Sequence, residues 1–220
     1  MLAALLLLPF GGEAKASNIL DLYRELQRLL PAGFPTYTID SSKRPPSASG
    51  GALYGARARV SLVMDAANGY LRITDRGDGD EASGFVTELA VWTGPKGQPL
   101  VGLSEWGVKS GAPFAGRVRF YARAGGTWRL VTGRVWPELD RDLCQTEPQE
   151  VVEDTSAWEG LGRAITLLPR KGRTAEVWCV PPSPVAGQGM ALEFDPAIGA
   201  FRKGPALAGP PQWPGGVAPP

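Results

Sequence analysis

Arg117-Val118-Arg119-Phe120-Tyr121-Ala122-Arg123-Ala124-Gly125-Gly126-Thr127-Trp128-Arg129-Leu130-Val131 is the stretch whose reading decides the fold. Val118, Phe120 and Ala122 alternate with Arg117, Arg119, Tyr121 and Arg123. A period of two sends successive side chains to opposite faces of a strand. Gly125-Gly126 then supplies two residues that take positive φ without penalty, which a tight hairpin turn requires. The stretch predicts a β-hairpin with one face in the core and the other, lined by Arg117, Arg119, Tyr121 and Arg123, in water.

The same rhythm continues on both sides. Runs at 60–64, 70–74, 85–92, 100–106, 117–123 and 128–132 are rich in β-branched and aromatic residues and are separated by Gly, Pro and Asp. Further runs at 164–168, 175–180 and 190–194 follow, and Phe194-Asp195-Pro196 leads towards Phe201 in another turn. The connections between the first six are too short for parallel crossovers, which take about a dozen residues or more. The prediction is a mainly β protein, an antiparallel sandwich or partly closed barrel of about nine strands, with one N-terminal amphipathic helix. Composition agrees: 43% hydrophobic and 20% charged residues mark a globular chain, while 29 Gly and 21 Pro favour turns over long helices.

The helix is expected over 18–30. Ile19, Leu20, Leu22, Tyr23, Leu26, Leu29 and Leu30 recur at helical spacing, Ser17 or Asn18 can cap the start, and Pro31 and Gly33 end the run. Such a stripe needs a covering partner, here the open face of a sheet. Residues 40–52 lack apolar periodicity and read as a flexible loop within one domain over 17–203. Residues 204–220 hold six Pro and four Gly in 17 positions and read as a disordered tail. The segment 138–154, with seven acidic residues, reads as an exposed excursion between strands.

At the N-terminus, the apolar run from Leu2 to Phe10 precedes Gly11-Gly12 and Ala14-Lys15-Ala16, the pattern of a signal-peptide core and cleavage site. The expectation is a signal peptide over 1–16 and a periplasmic or extracellular protein. No Lys or Arg precedes the run, and the competing reading is a buried N-terminal element. A membrane-spanning helix needs about 20 apolar residues, so no membrane span is expected. In an oxidising compartment Cys144 and Cys179 are expected to form a disulfide.

The hairpin Phe120-Tyr-Ala-Arg-Ala-Gly-Gly-Thr-Trp128 resembles those of a broad class of uncharacterised exported bacterial β-rich proteins, over residues 69–137. The resemblance implies the compartment and the fold, and no activity.

The lack of any histidine removes Ser-His-Asp and Cys-His nucleophile systems, His-ligated metals and imidazole acid/base catalysis. No phosphate-cradling glycine loop is present, and no cofactor is expected. The 23 basic and 22 acidic side chains nearly cancel, which argues against a nucleic-acid partner. Asp75, Asp78, Asp80 and Glu81 cluster in a Gly-rich turn, but Gly77 and Gly79 occupy two positions where an EF-hand places ligands, so a solvated turn is the expectation and no metal site is assigned. The carboxylates of 138–154, with Glu88 and Glu105 beside Trp92 and Trp106, are the candidates for a glycan hydrolase. The candidate ligand-binding residues are Trp92, Trp106, Arg117, Arg119, Tyr121 and Arg123, since Trp faces suit sugars and Arg suits carboxylates and phosphates. Trp128 and Trp136 are further candidates of the same kind. The leading expectation is a non-enzymatic domain that binds an envelope protein, peptide or glycan. The alternatives are a carboxylate-dependent glycan hydrolase and a purely structural module.

Overall fold

Antiparallel neighbours in chain order build most of the described structure. The computed structural model describes residues 19–30, 35–50, 59–76, 83–109, 112–137, 139, 143–144, 164–180, 183 and 185–207. Strands β3 (Arg59–Asp65), β4 (Tyr70–Arg76), β5 (Gly84–Thr93), β6 (Pro99–Lys109), β7 (Ala112–Ala124) and β8 (Thr127–Leu130) form a six-stranded meander. Strands β9 (Ala164–Leu167), β10 (Thr174–Cys179), β11 (Gly189–Asp195) and β12 (Ala200–Leu207) form a second, four-stranded one. A small hairpin, β1 (Tyr37–Asp40) with β2 (Ser47–Gly50), is a separate two-stranded sheet, and helices α1 (Ile19–Gln27) and α2 (Thr132–Val135) complete the described elements.

The six-stranded sheet is the middle layer. On one face Leu71, Ile73, Leu89, Val101, Leu103, Tyr121 and Trp128 meet Ile19, Leu20, Leu22, Tyr23 and Leu26 of α1, with Tyr37 and Ile39 of β1. On the other face Tyr70, Ala90, Trp92, Leu100 and Phe120 meet Ala175, Val177, Leu192, Phe194 and Phe201 of the second sheet. Farther along the same interface Val86, Trp106 and Val108 meet Ile165, Leu167, Trp178 and Val180. Burying both faces explains why β5 (Gly-Phe-Val-Thr-Glu-Leu-Ala-Val-Trp-Thr) is buried over its first seven residues and shows little alternation. Burial of each large apolar side chain contributes about 1.5–3 kcal/mol, so the two interfaces are the main source of stability.

The inter-sheet layer is centred on Phe120. Its ring stacks on Trp136 at 4.9 Å and lies 5.1 Å from Phe201 and 5.9 Å from Trp92. Gly102 makes the space: a Cβ there would come within 2.8 Å of the Trp92 ring and 2.9 Å of the Phe120 ring. The turn of the β7–β8 hairpin is as expected, with Gly125 and Gly126 at φ 59° and 81°.

Four boundaries differ from the sequence reading. Among the described residues the strands number twelve in three sheets, where about nine were expected. The stretch 40–52 is not a featureless loop, because Ser47–Gly50 pairs in antiparallel register with Tyr37–Asp40. Small side chains at Ser47, Ala48, Ser49 and Gly50 conceal that strand, which is held by backbone pairing while Tyr37 and Ile39 do the burying. Strand β12 runs four residues into the expected tail, through Pro205, which falls where the pairing with β11 shifts register. An edge bulge is one of the few strand positions that tolerates proline. Helix α1 ends at Gln27, and a turn closed by the Leu29 and Leu30 amides follows. The expected signal peptide, the residues offered as helix caps, Asp78 to Glu81, the acids of 138–154 and the tail beyond 207 lie outside the described residues.

The expected disulfide is present. Cys144 and Cys179 are joined with their Cα atoms 5.4 Å apart, both buried, and Ser183 Oγ donates to the Cys144 carbonyl at 3.0 Å. The bridge ties the chain beyond α2 to the end of β10 across 35 residues, a closure that contributes about 4 kcal/mol in the chain-entropy account. Among the described residues no helix is long and apolar enough to cross a membrane.

Candidate functional site

Strand parity separates the two strand glutamates among the hydrolase candidates. Thr87 pairs with Glu105 and Glu88 pairs with Ser104, so Glu105 and Glu88 project from opposite faces of the six-stranded sheet. Glu105 faces α1 and Glu88 faces the second sheet. No single substrate bond can lie between them, because the sheet itself does.

Glu88 is 1% exposed and held on three sides. It accepts from the Tyr70 hydroxyl at 2.6 Å and from the Leu168 amide at 2.9 Å, with Arg72 Nη1 at 3.8 Å. Burial pushes its pKa up against the pull of these donors. Close by, Ser104 Oγ donates to the Thr166 carbonyl at 2.5 Å. Thr166 and Leu168 are alternate residues on one side of β9, so two side chains of the middle sheet engage the backbone groups of that edge. The pair straps the two sheets together and keeps β9 from accepting a further strand.

The opposite face carries a second polar group of residues. Glu105 Oε2 accepts from Arg117 Nε and Arg119 Nη1, both at 3.0 Å, with side chains 13% and 19% exposed and Glu105 only 1%. The arginine face of the hairpin is therefore not a wet face, and the reason is α1: the helix and β1 cover the sheet where the sequence left it open. Two strands over, on β4, Asp75 is fully buried and its Oδ2 accepts from the Tyr37 hydroxyl at 3.1 Å. It is not a solvated turn residue. Asp75 Oδ1, Thr87 Oγ1 and Glu105 Oε1 have no hydrogen-bond partner among the described residues.

Burial raises the Asp75 pKa, and the Tyr37 hydroxyl only partly opposes it. A carboxyl whose pKa is higher folded than unfolded favours the fold at acid pH and loses that contribution as pH rises through the folded value. Asp75→Asn keeps an acceptor for Tyr37 and removes the charge. The expected result is a variant that melts with the wild type at pH 4 and above it at pH 8, read by thermal denaturation at both pH values. A variant less stable at pH 8 would show that the ionised carboxylate is the preferred form.

Arg123 lies at the rim of this face. Its Nη2 and the Trp128 Nε1 both donate to Glu25 Oε2 of α1, at 2.5 and 2.6 Å, and its guanidinium lies 4.9 Å from the Trp128 ring centre. The Trp128 and Arg123 donors hold the Glu25 carboxyl below its ordinary range.

Of the six candidate ligand-binding residues, the structure places only Arg123 at the surface. Trp92 and Trp106 are 4% and 3% exposed, and Phe120, Phe194 and Phe201 crowd Trp92, so neither presents a ring face to a ligand. Tyr121 is buried under α1, and Arg117 and Arg119 serve Glu105. Trp128 and Trp136 are likewise engaged by Glu25 and Phe120.

The signal passed over is at the hairpin's outer strand. Between Gly107 and Pro137 the chain has six basic residues and no acidic one. Leu130 on β8 is 61% exposed, more than Leu29 or Ile198, and Arg123 and Arg129 are exposed beside it. The charge bias is written in the sequence, whereas the exposure of Leu130 on an edge strand follows only from the fold.

No protein-family profile, curated protein or solved structure matches this chain. Any role assigned to it comes from the chemistry of these residues alone.

Proposed function

We propose that the chain is an exported, non-enzymatic domain that binds a protein, peptide or glycan of the cell envelope, in the periplasm or outside the cell. The observation that carries this reading is where the reactive groups point. Glu88 and Glu105 stand on opposite faces of one sheet, each committed to internal partners, while the β7–β8 hairpin exposes Arg123, Arg129 and Leu130. A domain with this distribution is suited to contact at its rim and not to bond cleavage within it. The apolar leader and the buried disulfide support export.

Binding of the disulfide-bonded chain to a glycan array and to solubilised envelope fractions tests the proposal. The expected result is a retained ligand that is recovered chemically unchanged. Release of new reducing ends from a glycan would establish the hydrolase reading instead, and an absence of any ligand would leave a structural module.

A further inference from the structure

We infer that the open edge of β8 is a docking strand for an acidic, extended polypeptide, which joins the six-stranded sheet alongside Trp128 and Leu130. This rests on the binding reading above and names the partner's chemistry.

The backbone sets which groups are free. The Val131 amide donates to the Phe120 carbonyl at 2.8 Å, and β8 runs antiparallel to β7 with Arg129 opposite Ala122 and Thr127 opposite Ala124. Hydrogen-bonded and non-bonded pairs alternate along an antiparallel ladder. Thr127, Arg129 and Val131 therefore bond inward to β7, and the amides and carbonyls of Trp128 and Leu130 face outward. Among the described residues no strand pairs with that side of β8.

Of the other sheet edges, β3 lies against β2 of the small hairpin, and β12 and β9 are protected. Strand β12 carries Lys203 and Pro205 and a register shift. On β9 the Thr166 carbonyl and Leu168 amide are engaged by Ser104 and Glu88. Charged side chains, proline and irregular pairing are the usual means of closing an edge. Strand β8 has no proline and no bulge, and it exposes Leu130.

Charge selects the occupant. Arg129 lies exposed on the edge strand itself, and no acid lies between Gly107 and Pro137, while Arg123 on β7 is already paired with Glu25. A second copy would set Arg129 against its own kind, whereas an acidic strand neutralises it. Leu130 shares the α1 face with Tyr121, and Arg129 shares the second-sheet face with Ala122. A matching strand thus alternates apolar and acidic residues, placing one beside each. Main-chain bonds supply the affinity in such strand addition, and alternate side chains supply the selectivity.

The test is a titration of the isotope-labelled, disulfide-bonded full chain with three capped octapeptides: alternating Val-Glu, alternating Val-Lys, and Val-Glu interrupted by a central proline. Val-Glu should shift and protect the Trp128 and Leu130 amides and bind at least about tenfold more tightly than either of the others, with an affinity that falls as salt rises. Leu130→Pro removes one outward amide and obstructs the edge while leaving the β7 bonds in place. It should weaken Val-Glu binding by about tenfold, and Arg129→Glu by about fivefold, with melting unchanged. Equal binding of the acidic and basic peptides, failure of the acidic peptide to bind, or full affinity in a folded Leu130→Pro or Arg129→Glu variant would overturn the inference. An envelope ligand that still binds Leu130→Pro would refute the edge and leave the binding reading standing. Loss of every ligand from the wild-type chain would remove both.

Discussion

Glu105→Ala is expected to lower the free energy of unfolding by about 3–5 kcal/mol, measured by urea denaturation at pH 7. The carboxylate is 1% exposed and is the partner of two guanidiniums that are themselves largely withdrawn from water under α1. Truncation leaves two like charges side by side without their anion, which is the costly way to break a buried ion pair. A second variant separates the worth of the charges from the damage of removing one. Replacing Glu105, Arg117 and Arg119 together with leucine restores stability to within about 2 kcal/mol of wild type, because a matched apolar set needs no counter-ion. If Glu105→Ala costs under about 1 kcal/mol, the arginines are solvated and α1 does not cover them.

Phe120→Ala is expected to cost about 3–5 kcal/mol in the same assay. Phe120 is wholly buried where three other aromatic rings converge, and it joins the middle sheet to Phe201 of the second. Its backbone is also engaged, with the amide donating to Thr132 Oγ1 at 2.9 Å and the carbonyl accepting from Val131. Truncation therefore opens a cavity that a rigid frame cannot collapse to fill. Leu130→Ala, at the exposed edge of the same hairpin, should stay within about 0.5 kcal/mol of wild type. Equal costs at the two positions would mean that the hairpin does not turn Phe120 inward.

The contrast between those two residues shows how far the sequence could be read. The period of two around Phe120 and the Gly125-Gly126 turn specify local pairing, so the class, the meander and the hairpin were legible. What period cannot specify is how many faces of a sheet are covered. Alternating Arg117, Arg119, Tyr121 and Arg123 look like a solvent face in isolation, and only the docking of α1 and β1 turns them into partners of Glu105. The same limit applies to Glu88 and Glu105: they are 17 residues apart and carry one chemistry, yet an odd separation along linked strands places them on opposite faces. Trp92 and Trp106 both lie on the inter-sheet face, which their sequence context does not reveal. Ser47–Gly50 escaped notice because a strand of small residues has no hydrophobic signal to offer. The disulfide was accessible because only two cysteines exist to be joined.

Methyl–methyl nuclear Overhauser contacts from Leu100 and Leu103 test most directly whether one sheet lies between two layers. These residues are three apart on β6 and project from opposite faces. Leu103 methyls should show contacts to Leu22 and Leu26 of α1 and none to Val177 or Leu192, and Leu100 methyls should show the reverse. A shared set of neighbours for the two leucines would contradict the account and return Glu88 and Glu105 to a common face.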